Sequence, residues 1–547
     1  MRQKGWALAL LFGQVVAMSG AVFAQDGPNG LQKLMLYRSF VQDDPACAVS
    51  VENGAPVFAA PQAGSAAATC PDAFAWVQLA EAITQSFWNW GTDQTVWPAT
   101  PWPMCSAQVS SNCCDPNAAI DPASQPTNCP VFRADYDPIS PLPATPSGTP
   151  SGNVINHAGL NIADTIDPGR LLRDLELELV FRNKPMVDYI YRNDMYSREG
   201  MAARNVAQNA AINAGDIGKA HSLEVRFPVE ASMVKVDFLH QDILLSQGLI
   251  STTDSAGNPL DPPNNPEYPM ITVYVEGTGA EGEVPGYYYL MAMTNASKAL
   301  PIWHWYAVEH VANPGRCDYI GCNDSFGYAT PGAAQDGASF GSTYIPPMIT
   351  LNDDQAEPGP GEANPNSPLF VTGEFYDPVQ TGEAITPALQ SLFAGMGIAT
   401  AASDPDPTVI SADDPAWVNY RLKGTQTTFN TNAGVPTGQG ATITEGGFVN
   451  SASCTTCHSQ ASVSATAGIG MQGVGGSWRP NLLGYTQIQM GAPDMDWFYA
   501  NSRAVVTATQ MDFVWGILNA NCQVPKQGAP HGTCETIPDA PVIVPPQ

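Results

Sequence analysis

Basic residues are scarce: 22 Lys and Arg stand against 51 Asp and Glu in 547 residues, a formal net charge of −29 at pH 7. A surface of that sign repels nucleic acid and anionic lipid, and it suits a basic redox partner or a salty habitat. Lys is thin along the whole chain rather than at one patch, which favours the general explanation. Long apolar runs are missing as well. Beyond Phe23 no stretch approaches the ~18 apolar residues that cross a bilayer, so no membrane anchor is expected. There is no internal repeat, no twin-Arg pair, and neither a second CxxC nor an HxxxH pair.

Arg2 and Lys4 precede an apolar stretch from Trp6 to Phe23, and the small residue Ala24 closes it. This is the pattern of a Sec-type signal peptide. It predicts a mature chain from Gln25, a mature net charge of about −31, and a bacterial periplasmic or secreted location. With 44% hydrophobic residues and 12 Trp, material for a core is ample.

Against that background stands Cys454-Thr455-Thr456-Cys457-His458. Two thiols three positions apart followed at once by an imidazole form the attachment pattern of a covalent haem c. Each Cys would take one vinyl group as a thioether, and His458 would be the proximal iron ligand. A zinc knuckle needs a second ligand pair at similar spacing. A thioredoxin-like dithiol needs a βαβ context, whereas Thr442 to Ser453 is a Gly, Thr, Ser and Asn run without helical period. The expected cofactor is one haem c per chain.

The ten other cysteines are even in number and predict disulfides in an oxidising compartment. Cys47 with Cys70, Cys317 with Cys322 and Cys522 with Cys534 are expected pairs. Cys105, Cys113, Cys114 and Cys129 form two further bridges of open pairing, not between the adjacent Cys113 and Cys114, whose geometry would strain the peptide.

Helical spacing marks Gly30 to Val41 and Asp72 to Trp90, the latter ending at Gly91 as a C-cap signal. From Leu175 the period becomes two: Leu175, Leu177, Leu179 and Phe181 alternate with Glu176, Glu178 and Arg182. Further strands are expected over Leu223 to Phe227, Met233 to Leu239, Ile271 to Val275, Tyr287 to Met293 and Ile302 to Val311. Asp254 to Asn258 and Pro262 to Asn265 read as connectors, and Pro185 to Tyr191 as a short helix. Thr386 before Pro387 starts a helix reaching about Phe393. Asp414 to Leu422 reads as helix or strand, and Met495 to Leu518 as a helix. The expected fold is α+β, mainly β: a disulfide-stapled antiparallel sandwich-like domain with a mainly α, cytochrome c-like haem segment. Its divisions are a signal peptide (1–24), a Cys/Pro-rich region with two helices (25–149), a β-rich domain with long loops (150–423), the haem segment (424–521) and a disulfide-closed Pro-rich tail (522–547).

The sixth iron position decides the chemistry. Met471, Met490, Met495 and Met511 lie downstream; Met490, in the loop-like Gln489-Met490-Gly491-Ala492-Pro493, is the first choice. Met511 is the runner-up, although its neighbours Phe513 and Trp515 equally suggest core packing. Trp478 and Arg479, after the turn Gly473 to Gly476, are candidates for hydrogen bonds to the haem propionates. A second cluster lies in Trp303-His304-Trp305-Tyr306-Ala307-Val308-Glu309-His310. On a strand, His304, Tyr306 and His310 share one face and Glu309 the other, so those three are candidate distal or catalytic groups, or simply packed sheet residues. Gly337-Ala338-Ser339-Phe340-Gly341 fits GxSxG but lacks the strand and helix a nucleophile elbow requires.

Several segments together resemble a group of large exported bacterial proteins, mostly uncharacterised, with one haem-c motif near the C-terminus. They are Tyr189-Ile190-Tyr191-Arg192-Asn193 with Met195-Tyr196-Ser197, Glu224 to Val236, Ser297-Lys298 leading into Trp303 to Val311, Asn419 to Gln426, the CxxCH itself and Asp512-Phe513-Val514-Trp515. The chain departs from that pattern where Ala307-Val308 replaces Thr-Phe before Glu309-His310. The resemblance implies a cytochrome c-like domain and no established substrate. The expected function is single-electron transfer to a redox partner protein. The alternatives are a haem oxidoreductase with an open sixth iron site and a haem-bearing ligand-binding or sensor protein.

Overall fold

The computed structural model describes residues 46–59, 65–106, 110–132, 176–246, 248–276, 284–312, 385–401, 403–429, 454–465, 468–469, 492–493, 495, 498–500, 502, 504–529 and 533–544. Hairpin β1 (Val49–Glu52) and β2 (Ala55–Phe58) precedes helix α1 (Pro71–Thr84). Strand β3 (Glu176–Arg182) follows, then α2 (Lys184–Arg192) and α3 (Arg198–Asn213). Next come β4 (Ser232–His240), the hairpin β5 (Ser251–Thr253) and β6 (Pro259–Asn264), β7 (Thr272–Val275), β8 (Gly286–Ser297) and β9 (His304–His310). Helix α4 (Pro387–Met396), β10 (Tyr420–Gln426), α5 (Cys454–His458) and β11 (Ser462–Ser464) lead into short C-terminal strands.

Six of these strands form one antiparallel sheet in the order β10-β9-β8-β4-β3, with β7 paired to the free end of β8. The alternation read from Leu177, Leu179 and Phe181 is real. These residues face the same side as Phe238, Val236 and Val234 directly opposite on β4. Helices α1 and α4 cover this first face: Trp76, Leu79 and Ile83 of α1 and Leu389, Leu392 and Phe393 of α4 share one apolar cluster with those strands. Burying each such side chain contributes roughly 1.5–3 kcal/mol. Thr386 caps α4 as expected, its hydroxyl accepting from Leu389 N at 3.2 Å.

The second face carries a different set. Met233, Ala296 and Trp305 join Met186, Val187 and Ile190 of α2 and Ala461, Val463, Met511, Val514 and Ile517 of the C-terminal segment. The sheet is therefore covered by helices on one side and by α2 with the CxxCH segment on the other. Antiparallel sheet and mixed α/β content hold; a second large sheet that would make a sandwich is absent among the described residues. Residues 71–84 belong to the main core.

Four disulfides are described: Cys47–Cys70, Cys105–Cys113, Cys114–Cys129 and Cys522–Cys534. The first and last are the expected pairs, and the four central cysteines bridge without joining Cys113 to Cys114. Cys317 and Cys322 lie outside the described residues, as does Gly30 to Val41.

Besides Pro262 to Asn265, expected as a connector but lying in β6 as far as Asn264, three local expectations fail, each for a physical reason. The helix over Asp72 to Trp90 ends at Thr84, because Ser86 takes a left-handed φ of 53° and only a single turn, Phe87–Asn89, follows. Gly91 is no cap; its N–H and C=O bond Arg182 at the sheet edge. Leu223 to Phe227 alternates in burial but pairs with no strand: Arg226 N donates to the Tyr189 hydroxyl and Phe227 N to Asp512 Oδ2, both at 2.8 Å. Met495 to Leu518 is not a helix. Its described residues form short strands (Tyr499–Ala500, Val505–Val506, Thr509–Gln510) and one turn, Trp515–Asn519, and Asp512 and Phe513 have positive φ of 45° and 71°. The described part of residues 424–521 is thus mostly turn and short strand rather than mainly α.

Candidate functional site

The motif forms the five-residue helix α5, too short to hold itself together in water. Tertiary bonds fix it. Thr455 N–H donates to Gln426 Oε1 on β10 at 3.1 Å, and Trp515 Nε1 donates to the Cys457 carbonyl at 3.0 Å. Thr455 and Thr456 are buried, whereas Cys454 and Cys457 are half-buried and take no part in the four disulfides.

His458 ends the helix with its ring against Trp305, the two centroids 4.4 Å apart. Its Nδ1 lies 2.8 Å from the carbonyl oxygen of Phe513. A carbonyl only accepts, so Nδ1 carries the proton and Nε2 keeps the lone pair that ligates a metal. Burial pushes the His458 pKa down to about 4, and the Lys235 charge lowers it further against the pull of the Phe513 bond. The ring is therefore neutral at physiological pH. Helix α3 positions the segment that offers this carbonyl. Asn209 Oδ1 and Nδ2 bond Val506 N and O at 2.9 and 2.8 Å, and Asn205 Nδ2 reaches the same Val506 carbonyl at 2.9 Å. Met511 N then bonds Ala461 O at 2.8 Å. Gly516 completes the turn, because a Cβ there would collide with the Arg182 guanidinium and the Trp97 ring.

Beyond Trp305 the same sheet face turns small and then charged. Ala307, Thr294 and Gly424 lie in one cross-strand row with Lys235; Glu309, Ala292, Asp237, Glu178 and Arg421 form the next. A bulge at Lys423 aims its amine at Glu309, Nζ to Oε1 3.3 Å, with both side chains fully buried. Lys235 pairs with Glu178 at 3.4 Å.

Strand β9 has the expected parity, with His304, Tyr306 and His310 on one face. That face points away from His458, whose ring packs on Trp305 of the other face. His304 is fully buried, with Nε2 3.0 Å from the Pro71 carbonyl and its ring edge-on to Phe74; Tyr306 joins the α1 cluster and His310 packs on Tyr420. Trp305, their neighbour in sequence, is the residue that meets His458. Met511 is fully buried in the apolar cluster, bonded to the loop that supports His458 Nδ1. Met471, Met490, Trp478 and Arg479 lie outside the described residues; Met495 is half-buried. Sequence reasoning missed Trp305, Gln426 and the Phe513 carbonyl. Only the pairing of Trp305 with Gln426 across β9 and β10 brings the first two together.

Burial pushes the His304 pKa from its ordinary 6.5 down to about 4. Above pH 6.5 the imidazole is neutral in both folded and unfolded chains. As the pH falls through 6.5 towards 4, the unfolded chain takes up a proton that the folded one refuses, so stability is lost across that window. Asp194 and Asp414, raised by burial to about 7 and about 6, act in the opposite sense. The fall in denaturant midpoint between pH 6.5 and 4 should be shallower in His304→Gln than in wild type; superimposable curves would remove His304 from the acid response.

No protein family, curated sequence or solved structure matches the chain. No described helix is long and apolar enough to cross a membrane, and the disulfides are consistent with a periplasmic or extracellular protein.

Proposed function

We propose that the chain carries one covalent haem c at Cys454 and Cys457, with His458 as proximal ligand, and works outside the cytoplasm as a single-electron carrier. The observation behind this reading is the 2.8 Å contact of His458 Nδ1 with the Phe513 carbonyl, in an imidazole that directly follows CxxC. That bond commits Nδ1 and leaves Nε2 for iron, and it increases the basicity of the ring. The residues fit the group: two thiols one helical turn apart, a neutral imidazole held at a fixed angle by Trp305, and a floor of small side chains beyond it.

When bound, the haem supplies an iron that takes up and releases one electron at a time. The chain's own part is to tether, orient and shield. Cys454 and Cys457 fix the ring edge, and Trp305 and the Phe513 carbonyl hold the imidazole. In this reading Met490 is the sixth ligand and Trp478 and Arg479 serve the propionates. Met511 keeps to packing, because its backbone sits with the loop on the Nδ1 side of His458. The acidic surface favours a basic redox partner.

A second reading, an oxidoreductase with an open sixth position, draws on the buried charged groups near Lys235 and Glu309 rather than on His304 or His310. Optical spectra of the purified protein separate the two. Low-spin ferric and ferrous spectra that do not respond to carbon monoxide are expected for the carrier. High-spin iron that binds the gas on reduction would transfer the conclusion to the enzyme, and a protein that takes up no haem would end both.

A further inference from the structure

The turn that carries the Phe513 carbonyl is held from outside. Asp512 is half-buried, with its side chain 8% exposed; Oδ1 accepts from Lys298 Nζ at 2.5 Å and from Trp303 Nε1 at 3.4 Å, while Oδ2 accepts from Phe227 N at 2.8 Å. Lys298 Nζ also donates to the Pro301 carbonyl at 2.7 Å and lies over the Trp303 ring. Two separate segments, the β8–β9 loop and the stretch before β4, thus converge on one side chain of the C-terminal turn.

The need for such a hold is visible in the backbone. Asp512 and Phe513 are consecutive non-glycine residues at positive φ, 45° and 71°. Each such conformation is costly for a side-chain-bearing residue and persists only where the surroundings impose it. Released, the turn would relax toward negative φ and rotate the Phe513 carbonyl away from His458. The Trp303 end of the loop is itself at φ 66°, so the donor side is as tightly specified as the acceptor side.

We infer that Lys298, Asp512 and Trp303 form a clamp that positions the Phe513 carbonyl and thereby sets the tautomer and orientation of His458. For its redox consequence alone, the inference rests on the haem reading above. The three are positioning residues, since the carbonyl and not the clamp touches the imidazole. A clamp that merely stabilised the fold would leave His458 unchanged in any variant that folds.

The test uses the full-length chain labelled with ¹⁵N-histidine, first without haem, comparing Lys298→Met, Asp512→Asn and the milder Trp303→Phe with wild type and Lys298→Arg. Near-ultraviolet circular dichroism identifies the variants that fold. In wild type and Lys298→Arg, His458 should give the long-range ¹⁵N–¹H pattern of the Nδ1–H tautomer alone. Folded Lys298→Met or Asp512→Asn should show a mixture of tautomers, with Trp303→Phe in between. A wild-type His458 pattern in the folded variants would overturn the clamp. In haem-loaded protein of equal haem content, the midpoint potential of Lys298→Met should rise, because weakening the Nδ1–H bond makes the imidazole a poorer donor to ferric iron. An unchanged potential would overturn the redox consequence. A wild-type chain that takes up no haem would sink the haem reading while the tautomer comparison still decides the clamp.

Discussion

Expressed with haem c maturation machinery in an oxidising compartment, the wild-type protein should keep its haem through denaturing electrophoresis, and Cys454→Ser/Cys457→Ser should lose all of it. The expectation is all-or-none because, in the proposed reading, the two thioether bonds would be the sole covalent tether, and no second CxxC exists in the chain. His458→Ala should behave differently. Its thiols are intact, so some covalent haem should remain, but the low-spin spectrum should go with the proximal nitrogen. Haem staining of the gel and the ferric spectrum read these separately. Equal staining in the double Ser variant would show that the motif is not the attachment site, and a wild-type spectrum in His458→Ala would remove His458 from the iron.

Lys423→Met and Glu309→Gln should each destabilise the protein by about 3–5 kcal/mol, because each removes one charge from a paired site closed to water. Both side chains are fully buried, with the amine and carboxylate 3.3 Å apart. The double variant should recover much of that loss, since an apolar and a neutral group need no charge compensation. Denaturant unfolding of the four proteins completes the cycle. Additive losses would mean that the two groups are not coupled and that each is compensated by other neighbours. The pair lies one row beyond the small residues next to Trp305, so the spectrum of the haem-loaded single variants should also shift, whereas substitutions under α1 should leave it unchanged.

Much of the sheet is legible in the sequence, because period-two burial sets strand and face together: Leu177, Leu179 and Phe181 and their partners on β4 are where alternation puts them. The local cysteine pairs follow from spacing. Helix α3 was not anticipated, and the reason is its inner face. Arg204, Asn205 and Gln208 are buried there, hydrogen-bonded to loops, so the apolar stripe that marks a helix is interrupted. The C-terminal segment misleads in the opposite way. Met511, Val514 and Ile517 are spaced as on a helix and all are buried, but left-handed residues at Asp512 and Phe513 are invisible without a glycine to announce them. At the site, the parity of β9 was legible from alternation. Which face of β9 meets the motif was not available, because it depends on where α1 and α5 dock rather than on anything within the strand.

Strand β9 is a partition one side chain thick. Its even-numbered residues belong to one interior and its odd-numbered residues to another. Point substitutions on the Trp305 side can accumulate while the α1 side stays as it is, so the surroundings of His458 are free to drift without endangering the scaffold. A single inserted residue has the reverse effect. It would exchange the two rooms at once, delivering an imidazole to His458 and an indole to α1. The strand therefore tolerates gradual change and resists changes of length.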